Sequence, residues 1–356
     1  MLFIKKIKFN NFRCFKFKEI EFKTGINVLV GDNGVGKTSV VEGISYFCLG
    51  KSFKSAKDKQ VLYTNESFFN IIISSNTEKE EKTVISFDGE HKKIKQNEYF
   101  YKSLSDFVGK NKIVTFSPDD LSIIKGAPTD RRRFLDVFIS QQDNQYLKIL
   151  KEYKKILKTR NELLKNSEEK QFDKILFDIL SDKLVTIGIE VIKLREKYIK
   201  LLSEIVKKES YELSLGSEIV ELKYKPDITI EEYKNKIKKN QNIDLLAKTT
   251  TVGPHRDEVV ILINQELAIE KASQGQIRTA VLAMKIAEYT LYKEKTDNII
   301  VCLDDVLSEL DIKRQEKLLN SVNKGNQIFI TAANLGGIPE NALENANIIK
   351  IERKGE

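Results

Sequence analysis

A glycine-rich segment near the start of the chain has the residue types that bind phosphate. Residues 31–38 read Gly31-Asp32-Asn33-Gly34-Val35-Gly36-Lys37-Thr38 and match the pattern GxxxxGK[ST] in full. Glycines let the backbone curve so that several N–H groups point at phosphate oxygens, while Lys37 reaches the β- and γ-phosphates. The Thr38 hydroxyl is the type of ligand that Mg²⁺ takes beside a bound nucleotide. The segment therefore predicts binding of ATP with Mg²⁺.

Two adjacent acids late in the chain complete this chemistry. Asp304 and Asp305 directly follow the apolar run Ile299–Leu303. In nucleotide-hydrolysing proteins with this glycine loop, a buried strand delivers a carboxylate to the Mg²⁺ shell. Asp304 is predicted to hold Mg²⁺ together with Thr38, and Asp305 to orient or deprotonate the attacking water. The predicted catalytic residues are thus Lys37, Asp304 and Asp305.

Short elements must position these side chains. The apolar run Ile26–Val30 predicts a buried strand ending in the glycine turn, and the spacing of apolar residues over 38–47 predicts a helix. Residues 68–100 read as strands with a hairpin turn at Asp88-Gly89. After residue 249, strands at 258–263, 298–303 and 327–331 and a helix over 276–292 return the chain to α/β structure.

Between these parts lies a helical insertion. Amphipathic spacing predicts one helix over 131–165 and a second over 172–208, separated by a polar break at 166–170 and forming an antiparallel hairpin. The predicted domains are 1–125 (ATPase head, N-terminal part), 126–242 (helical arm) and 243–356 (ATPase head, C-terminal part). The predicted fold class is an α/β P-loop ATPase head of the ABC type, a mixed sheet with an antiparallel β subdomain, interrupted by the mainly helical arm.

Composition excludes several other classes. The chain has 356 residues, 41% of them apolar, a net charge of +8 and a pI of about 9.0, a balance that favours a polyanionic partner such as nucleic acid. Its three cysteines are far apart, which predicts neither a zinc site nor a disulfide framework. No secretory signal or long apolar run is visible, so we expect a cytoplasmic protein with no membrane partner.

Further segments occur in an order typical of one family. They are Asn11-Phe12-Arg13, Phe116–Leu121, Asp130–Asp136, Gly253-Pro254-His255-Arg256-Asp257, Ser273-Gln274-Gly275-Gln276 and Asp305–Asp311. With the glycine loop, this ordered set resembles the RecF family of bacterial DNA-repair ATPases, an SMC-like branch of the ABC ATPases. The matching segments extend from residue 1 to about residue 335.

The resemblance implies a site shared between two subunits. The signature residues Ser273, Gly275 and Gln276 would complete the nucleotide site of a second copy of the chain. ATP would thus drive formation of a homodimer, with Asp311 at the dimer interface. Arg13 would contact phosphate, and Asp119 or Asp120 would take the Q-loop place near Mg²⁺. Thr331-Ala332 stand where other ABC ATPases carry a switch histidine, which implies slow hydrolysis.

The resemblance also implies partners. These are single-stranded and gapped or duplex DNA, and the RecR and RecO proteins, with which the family loads RecA during recombinational repair and replication restart. Basic residues of the arm offer a compatible surface for DNA: Lys151, Lys154, Lys155, Lys158, Arg160, Lys165 and Arg131–Arg133.

Three alternatives make different predictions. A transporter ATPase subunit would carry an LSGGQ-type signature and a switch histidine, and a small-molecule kinase would have an arginine-rich lid and no signature. An SMC-type structural protein would carry a longer coiled coil than these arm helices, which at 1.5 Å per residue reach only about 50 Å. Another ABC-type ATPase of the SMC-like class stays open as the alternative function.

Overall fold

The structure is a computed structural model that describes residues 2–54, 56–76, 79–167, 172–323 and 325–352. The strands in these residues are β1 (Phe3–Phe12), β2 (Phe15–Glu21), β3 (Ile26–Val30), β4 (Phe69–Asn76), β5 (Glu80–Phe87), β6 (Lys92–Gln96), β7 (Tyr99–Phe100), β8 (Lys112–Phe116), β9 (Val220–Lys225), β10 (Glu258–Ile263), β11 (Glu266–Leu267), β12 (Ile299–Asp304), β13 (Gln327–Ala332) and β14 (Asn347–Lys350). The α-helices are α1 (Lys37–Leu49), α2 (Leu104–Phe107), α3 (Ser122–Lys125), α4 (Pro128–Gln142), α5 (Asn144–Lys165), α6 (Lys174–Leu213), α7 (Ile230–Lys239), α8 (Gln241–Ala247), α9 (Ala268–Lys271), α10 (Gln274–Lys293), α11 (Ile312–Val322) and α12 (Glu340–Leu343).

The chain divides into two compact units. The first contains residues 1–120 and 281–356, and the second contains residues 121–280. The domain boundaries at 125/126 and 242/243 that the sequence predicts stay predictions.

A parallel sheet forms the centre of the first unit. Its strand order is β14-β3-β13-β12-β8, and every neighbouring pair is parallel. The central strands are almost continuous apolar runs because both faces of such a sheet are covered. All six residues of β12 are buried, for example. The carboxyl ends of β3, β12 and β13 therefore lie at one edge, with Asp304 paired in register with Thr331.

An antiparallel sheet of order β2-β1-β4-β5-β6-β7 forms the other part of this unit. Burial alternates along β4, the pattern of a strand with one face in the core. Helix α1 approaches β1 closely at Gly43, where an added Cβ would overlap the ring of Phe9. The glycine is thus needed for helix α1, which begins at the phosphate loop, to pack on this sheet.

The second unit is mainly helical and includes a small antiparallel sheet of order β11-β10-β9. Helices α5 and α6 pack antiparallel, as predicted. Arg160 near the end of α5 donates to Ser181 near the start of α6, and Arg195 further along α6 donates to Tyr146 at the start of α5. The predicted helix over 131–165 is wrong in one respect, since α4 ends at Gln142 and α5 begins at Asn144. Asp143 causes the break, because its carboxylate accepts hydrogen bonds from the backbone N–H of Gln145 and Tyr146 and caps α5.

Two other predictions concern the ends of the arm helices. Helix α6 extends to Leu213, five residues beyond the predicted end at 208. Part of the predicted polar break at 166–170 lies outside the described residues. Among the helices that the structure describes, none is both long and apolar enough to cross a lipid bilayer.

Candidate nucleotide site

The phosphate loop has the geometry that its sequence predicts. It connects β3 to α1, and Gly34 and Gly36 adopt φ angles of 81° and 108° that favour glycine. A Cβ at Gly36 would lie 2.5 Å from the Cys14 sulfur, so the loop also passes too close to a neighbour for any side chain. The first N–H groups of α1 point out of this turn, which suits an anion.

Lys37 lies inside the turn. Only 5% of the residue is exposed, and its Nζ donates to the carbonyl oxygens of Gly31 at 2.7 Å and Asp32 at 2.9 Å. The loop thus holds the ammonium at its own centre, where a phosphate chain wrapped by residues 31–36 would meet it.

Asp304 lies at the base of the same site. Its Oδ1 accepts hydrogen bonds from the Thr38 hydroxyl at 2.8 Å and the Thr331 hydroxyl at 2.9 Å. Burial raises the pKa of the Asp304 carboxyl above its usual value, and the two hydroxyls partly offset this rise by hydrogen bonding to the charged form. The structure brings Thr38 and Asp304 together, as a shared role at Mg²⁺ requires.

Asp305 adopts a left-handed backbone conformation with φ of 56°. Its N–H donates to the Thr331 hydroxyl at 2.9 Å, and its carbonyl accepts from the Ser308 hydroxyl at 3.0 Å. Thr331 therefore contacts both adjacent acids, donating to the first and accepting from the second. The sequence showed only that Thr331 stands where a histidine was expected, and it did not reveal this bridging position.

A groove of about 570 Å³ runs along the phosphate loop. Its lining comprises Arg13, Cys14, Asn33, Gly34, Gly36, Lys37, Thr38, Ser39, Gln60, Leu62 and Asp305. Cys14 is half-buried at this wall, whereas Cys48 and Cys302 are buried in the core.

Arg13 reaches this groove in a fixed orientation. Its Nε and one terminal nitrogen each donate to a carboxylate oxygen of Glu42 at 2.6 Å, and the other terminal nitrogen donates to the Gln60 carbonyl at 3.1 Å. Glu42 is 2% exposed and lies on α1, the helix that begins at Lys37. A guanidinium has five N–H donors, so these contacts leave two for a ligand. No sequence pattern indicates this role of Glu42.

The two candidates for the Q-loop place have different surroundings. Asp119 lies 3.5 Å from the Lys54 ammonium, which is itself 4.0 Å from Asp304. Asp120 instead accepts a hydrogen bond from the Ser117 N–H at 2.7 Å, and burial raises its pKa. Of the two acids, Asp119 is therefore the one that shares the Lys54 ammonium with Asp304.

The residues present fit a Mg²⁺ ion that shares its shell with a nucleotide. Thr38 and Asp304 offer the hard oxygen donors that Mg²⁺ takes. The described residues contain no cluster of three acidic, histidine or cysteine side chains that could hold a metal alone.

The signature residues lie in the second unit, at the start of α10. Ser273 accepts a hydrogen bond from the Gln276 N–H at 3.3 Å, while its own N–H donates to the Gln276 side chain at 2.9 Å. This reciprocal pair is a capping box. Ser273 and Gly275 are exposed, and the surroundings of Gly275 are open, since an added Cβ would meet only the Ser273 hydroxyl, at 4.0 Å.

Comparisons with known proteins agree with this set of motifs. A family model described as an AAA domain matches residues 6–348. The DNA replication and repair protein RecF of Clostridium tetani is 37% identical over 363 residues, which cover 99% of this chain and 98% of that protein. The protein of that name from Halalkalibacterium halodurans is 34% identical over 362 residues, covering 98% of each. The chain belongs to the RecF family.

Solved structures confirm the predicted fold class. A structure of the recombination mediator protein RecF with ATPrS matches this RecF-family chain with a TM-score of 0.88 at 32% identity, covering 99% of this chain and 96% of that one. A Smc head domain from Pyrococcus furiosus, at 16% identity, shares the fold with a TM-score of 0.54, covering 99% of this chain and 94% of that one. The ABC-type head with its helical insertion is thus the fold of the RecF family.

His255 of this RecF-family chain has a structural environment. The Tyr153 hydroxyl lies 2.8 Å from its Nδ1, and its Nε2 lies 3.1 Å from the Thr250 carbonyl oxygen, so Nε2 carries the proton. Burial lowers the pKa of His255. Two residues further on, buried Asp257 pairs with buried Arg195 at 2.8 Å. These contacts tie the Gly253–Asp257 segment to the helices of its own unit.

Two arginines that were predicted to lie on the basic surface are buried instead, so that part of the prediction is wrong. Arg160 is fully buried and pairs with Asp244 at 2.8 Å, with its guanidinium over the ring of Phe177. Arg131 is 8% exposed and forms a two-pronged pair with Glu258. Arg160 lies on the core side of α5, whose lysines are exposed, and Arg131 is buried on α4. The sequence shows the charge of each residue but not which face of its helix turns inward. The exposed lysines that remain from that surface are Lys151, Lys154, Lys155, Lys158 and Lys165.

Proposed function

We propose that this RecF-family chain is an ATP-dependent DNA-binding protein of recombinational repair and replication restart. The observation that carries the proposal is the pairing of an assembled phosphate site, Lys37 with Thr38 and Asp304, with a signature helix end whose Ser273 and Gly275 are exposed. The solved relatives bear names that include ATP and the RecFOR pathway, which supports the nucleotide and the RecR and RecO partners.

The proposed switch follows from the chemistry of the two halves. ATP bound by residues 31–38 of one copy presents its γ-phosphate to the Ser273 hydroxyl and the Gly275 N–H of a second copy. Mg²⁺ supplies positive charge to the phosphate oxygens when it is bound. The γ-phosphate then joins two chains, and its loss on hydrolysis separates them, so that nucleotide state sets the population of closed dimers.

The proposed hydrolysis is weak. Asp305 orients or deprotonates the attacking water, and Thr331 occupies the place of a histidine that could exchange protons. A hydroxyl does not titrate near neutral pH, so Thr331 positions the two acids and transfers no proton. The protein acts in the cytoplasm, where slow turnover keeps the closed dimer on single-stranded, gapped or duplex DNA long enough to help RecO and RecR load RecA.

Two variants test the nucleotide switch. Lys37→Arg should abolish hydrolysis, since a planar guanidinium does not fit the turn that holds the Lys37 ammonium. Ser273→Arg should leave ATP binding to the monomer intact but prevent dimer formation, measured by light scattering with and without ATP. A Ser273→Arg protein that dimerises normally with ATP contradicts the shared site.

DNA binding has its own test. Retention on gapped DNA should require ATP and fall steeply between 50 and 200 mM salt, by about three orders of magnitude if six or so phosphates are contacted. Substituting the exposed arm lysines Lys151, Lys155 and Lys158 with Gln together should reduce this salt dependence. Binding that ignores both nucleotide and salt would refute the proposed function.

A further inference from the structure

Lys54 lies between the buried carboxylate of Asp304 and the exposed carboxylate of Asp119, and the proposed function gives it no role. Its Nζ is 4.0 Å from Asp304 Oδ2 and 3.5 Å from Asp119 Oδ2. The two hydroxyls of the site bond Oδ1 of Asp304, so Lys54 faces the oxygen that they leave. Within the described part of the chain, no other cationic side chain is paired with Asp304.

Hydrogen bonds hold the backbone at Lys54 in place, whereas its side chain is partly exposed. The Lys54 N–H donates to the Ser52 hydroxyl at 3.0 Å, and Ser52 in turn donates to buried Glu42. The preceding N–H, of Phe53, donates to the Ser45 hydroxyl at 3.2 Å. The Lys54 side chain is 33% exposed, so it can swing while its Cα stays in place.

A surface lysine usually contributes little, because water and salt screen exposed ion pairs. The carboxylate here is different, since the Asp304 side chain is 3% exposed and its charge is poorly solvated. A buried charge in a protein is usually paired with an opposite charge or coordinates a metal ion. Lys54 supplies that partner at the position where a divalent cation would bind the same oxygen.

We propose that Lys54 is the built-in counter-ion of the metal site. Its ammonium offsets the buried charge of Asp304 in the nucleotide-free chain while it also contacts the exposed Asp119, and it releases Asp304 when Mg²⁺ enters with ATP. The inference rests on the proposed function in that Mg²⁺ and ATP are taken to bind at residues 31–38 and 304. Lys54 is a positioning residue, because it competes with the cation and performs no chemistry.

The first test titrates Mg²⁺ to high concentration on the nucleotide-free full chain, because Thr38 and Asp304 bind the cation only weakly without phosphate oxygens. Lys54→Met, which keeps the length of the side chain but not its charge, is compared with wild type and with Lys59→Met, an exposed lysine in the same connection. We expect Mg²⁺ to raise the melting temperature of Lys54→Met at concentrations several-fold lower than wild type, about three- to tenfold for the loss of one nearby positive charge. Lys59→Met should follow wild type.

The second test measures binding of a fluorescent ATP analogue in EDTA and over a Mg²⁺ titration. Lys54→Met should reach half of its Mg²⁺-dependent gain in affinity at several-fold less Mg²⁺, and Lys54→Arg should restore the wild-type value. The same Mg²⁺ dependence in all variants, or weaker analogue binding in EDTA alone, would overturn the proposal and make Lys54 a phosphate contact or a solvated lysine. Failure of the wild type to bind the analogue would instead count against the proposed function, and the Mg²⁺ melting test would still decide the role of Lys54.

Discussion

Replacement of Gly275 by Ala should change folding and assembly in opposite directions. Gly275 is in the first turn of α10, and an added Cβ would meet no atom closer than the Ser273 hydroxyl, at 4.0 Å. Alanine costs less conformational entropy in a helix than glycine does. The nucleotide-free protein should therefore gain about 0.5 to 1 kcal/mol, or roughly 1 to 3 °C in melting temperature for a unit of this size.

The ATP-bound state should respond in the other direction. In the proposed dimer the Gly275 N–H faces a γ-phosphate, and a methyl group there must push the partner chain away. Overpacking of this kind costs about 1 to 3 kcal/mol per site. Because a symmetric dimer contains two such sites, the ATP-driven association constant should fall at least about tenfold.

The assay pairs thermal unfolding without nucleotide with sedimentation velocity in Mg-ATP. Gly188→Ala is the matched control in the same unit, since a Cβ at Gly188 would lie 2.6 Å from the Tyr233 ring. That variant should lower the melting temperature and affect dimers only through folding. If Gly275→Ala also melts earlier, the glycine serves the fold of its own chain. If Gly275→Ala forms dimers in Mg-ATP as readily as wild type, no partner chain approaches this helix end, and the proposed shared site is refuted.

Three other outcomes are expected. Thr331→Val should reduce ATP hydrolysis at saturating Mg-ATP about tenfold through loss of a hydrogen bond to buried Asp304, and Thr331→Ser should restore it. Arg160→Leu should lower the free energy of unfolding in urea by about 3 to 5 kcal/mol because it leaves Asp244 buried and unpaired, and Arg160→Leu with Asp244→Asn should lose clearly less. Burial lowers the pKa of His255, so the unfolded chain binds a proton more readily and the wild type should lose stability as the pH falls through the ordinary value of 6.5. His255→Gln should not show this loss when urea midpoints at pH 7.5 and 5.5 are compared.

The phosphate site could be predicted from the sequence because its chemistry is local. Residues 31–38 are consecutive, and the strand before them and the helix after them each have a clear pattern. Asp304 is distant in sequence, but the ends of parallel strands meet at one sheet edge, so its place beside Thr38 followed from topology.

The predictions failed where the answer depended on which face of a helix turns inward. Arg160 lies among lysines on α5, and only the packing of α5 against α6 shows that it points to Asp244 and not to water. Glu42 and Lys54 could not be predicted for a related reason. Their roles depend on hydrogen bonds between α1, the connection after it and the β1–β2 turn, and no sequence pattern reports these contacts.

The left-handed backbone at Asp305 restricts which acid the site can use. Aspartate and asparagine tolerate this conformation, because their short polar side chains bond locally, whereas longer side chains are strained there. A glutamate, although chemically similar, would add about 1 to 2 kcal/mol of backbone strain at this position. Arg13 and Gln265 adopt the same conformation elsewhere in the chain, so the strain is a cost and not a prohibition. Lengthening the acid would therefore exchange stability at the end of β12 for reach toward the attacking water.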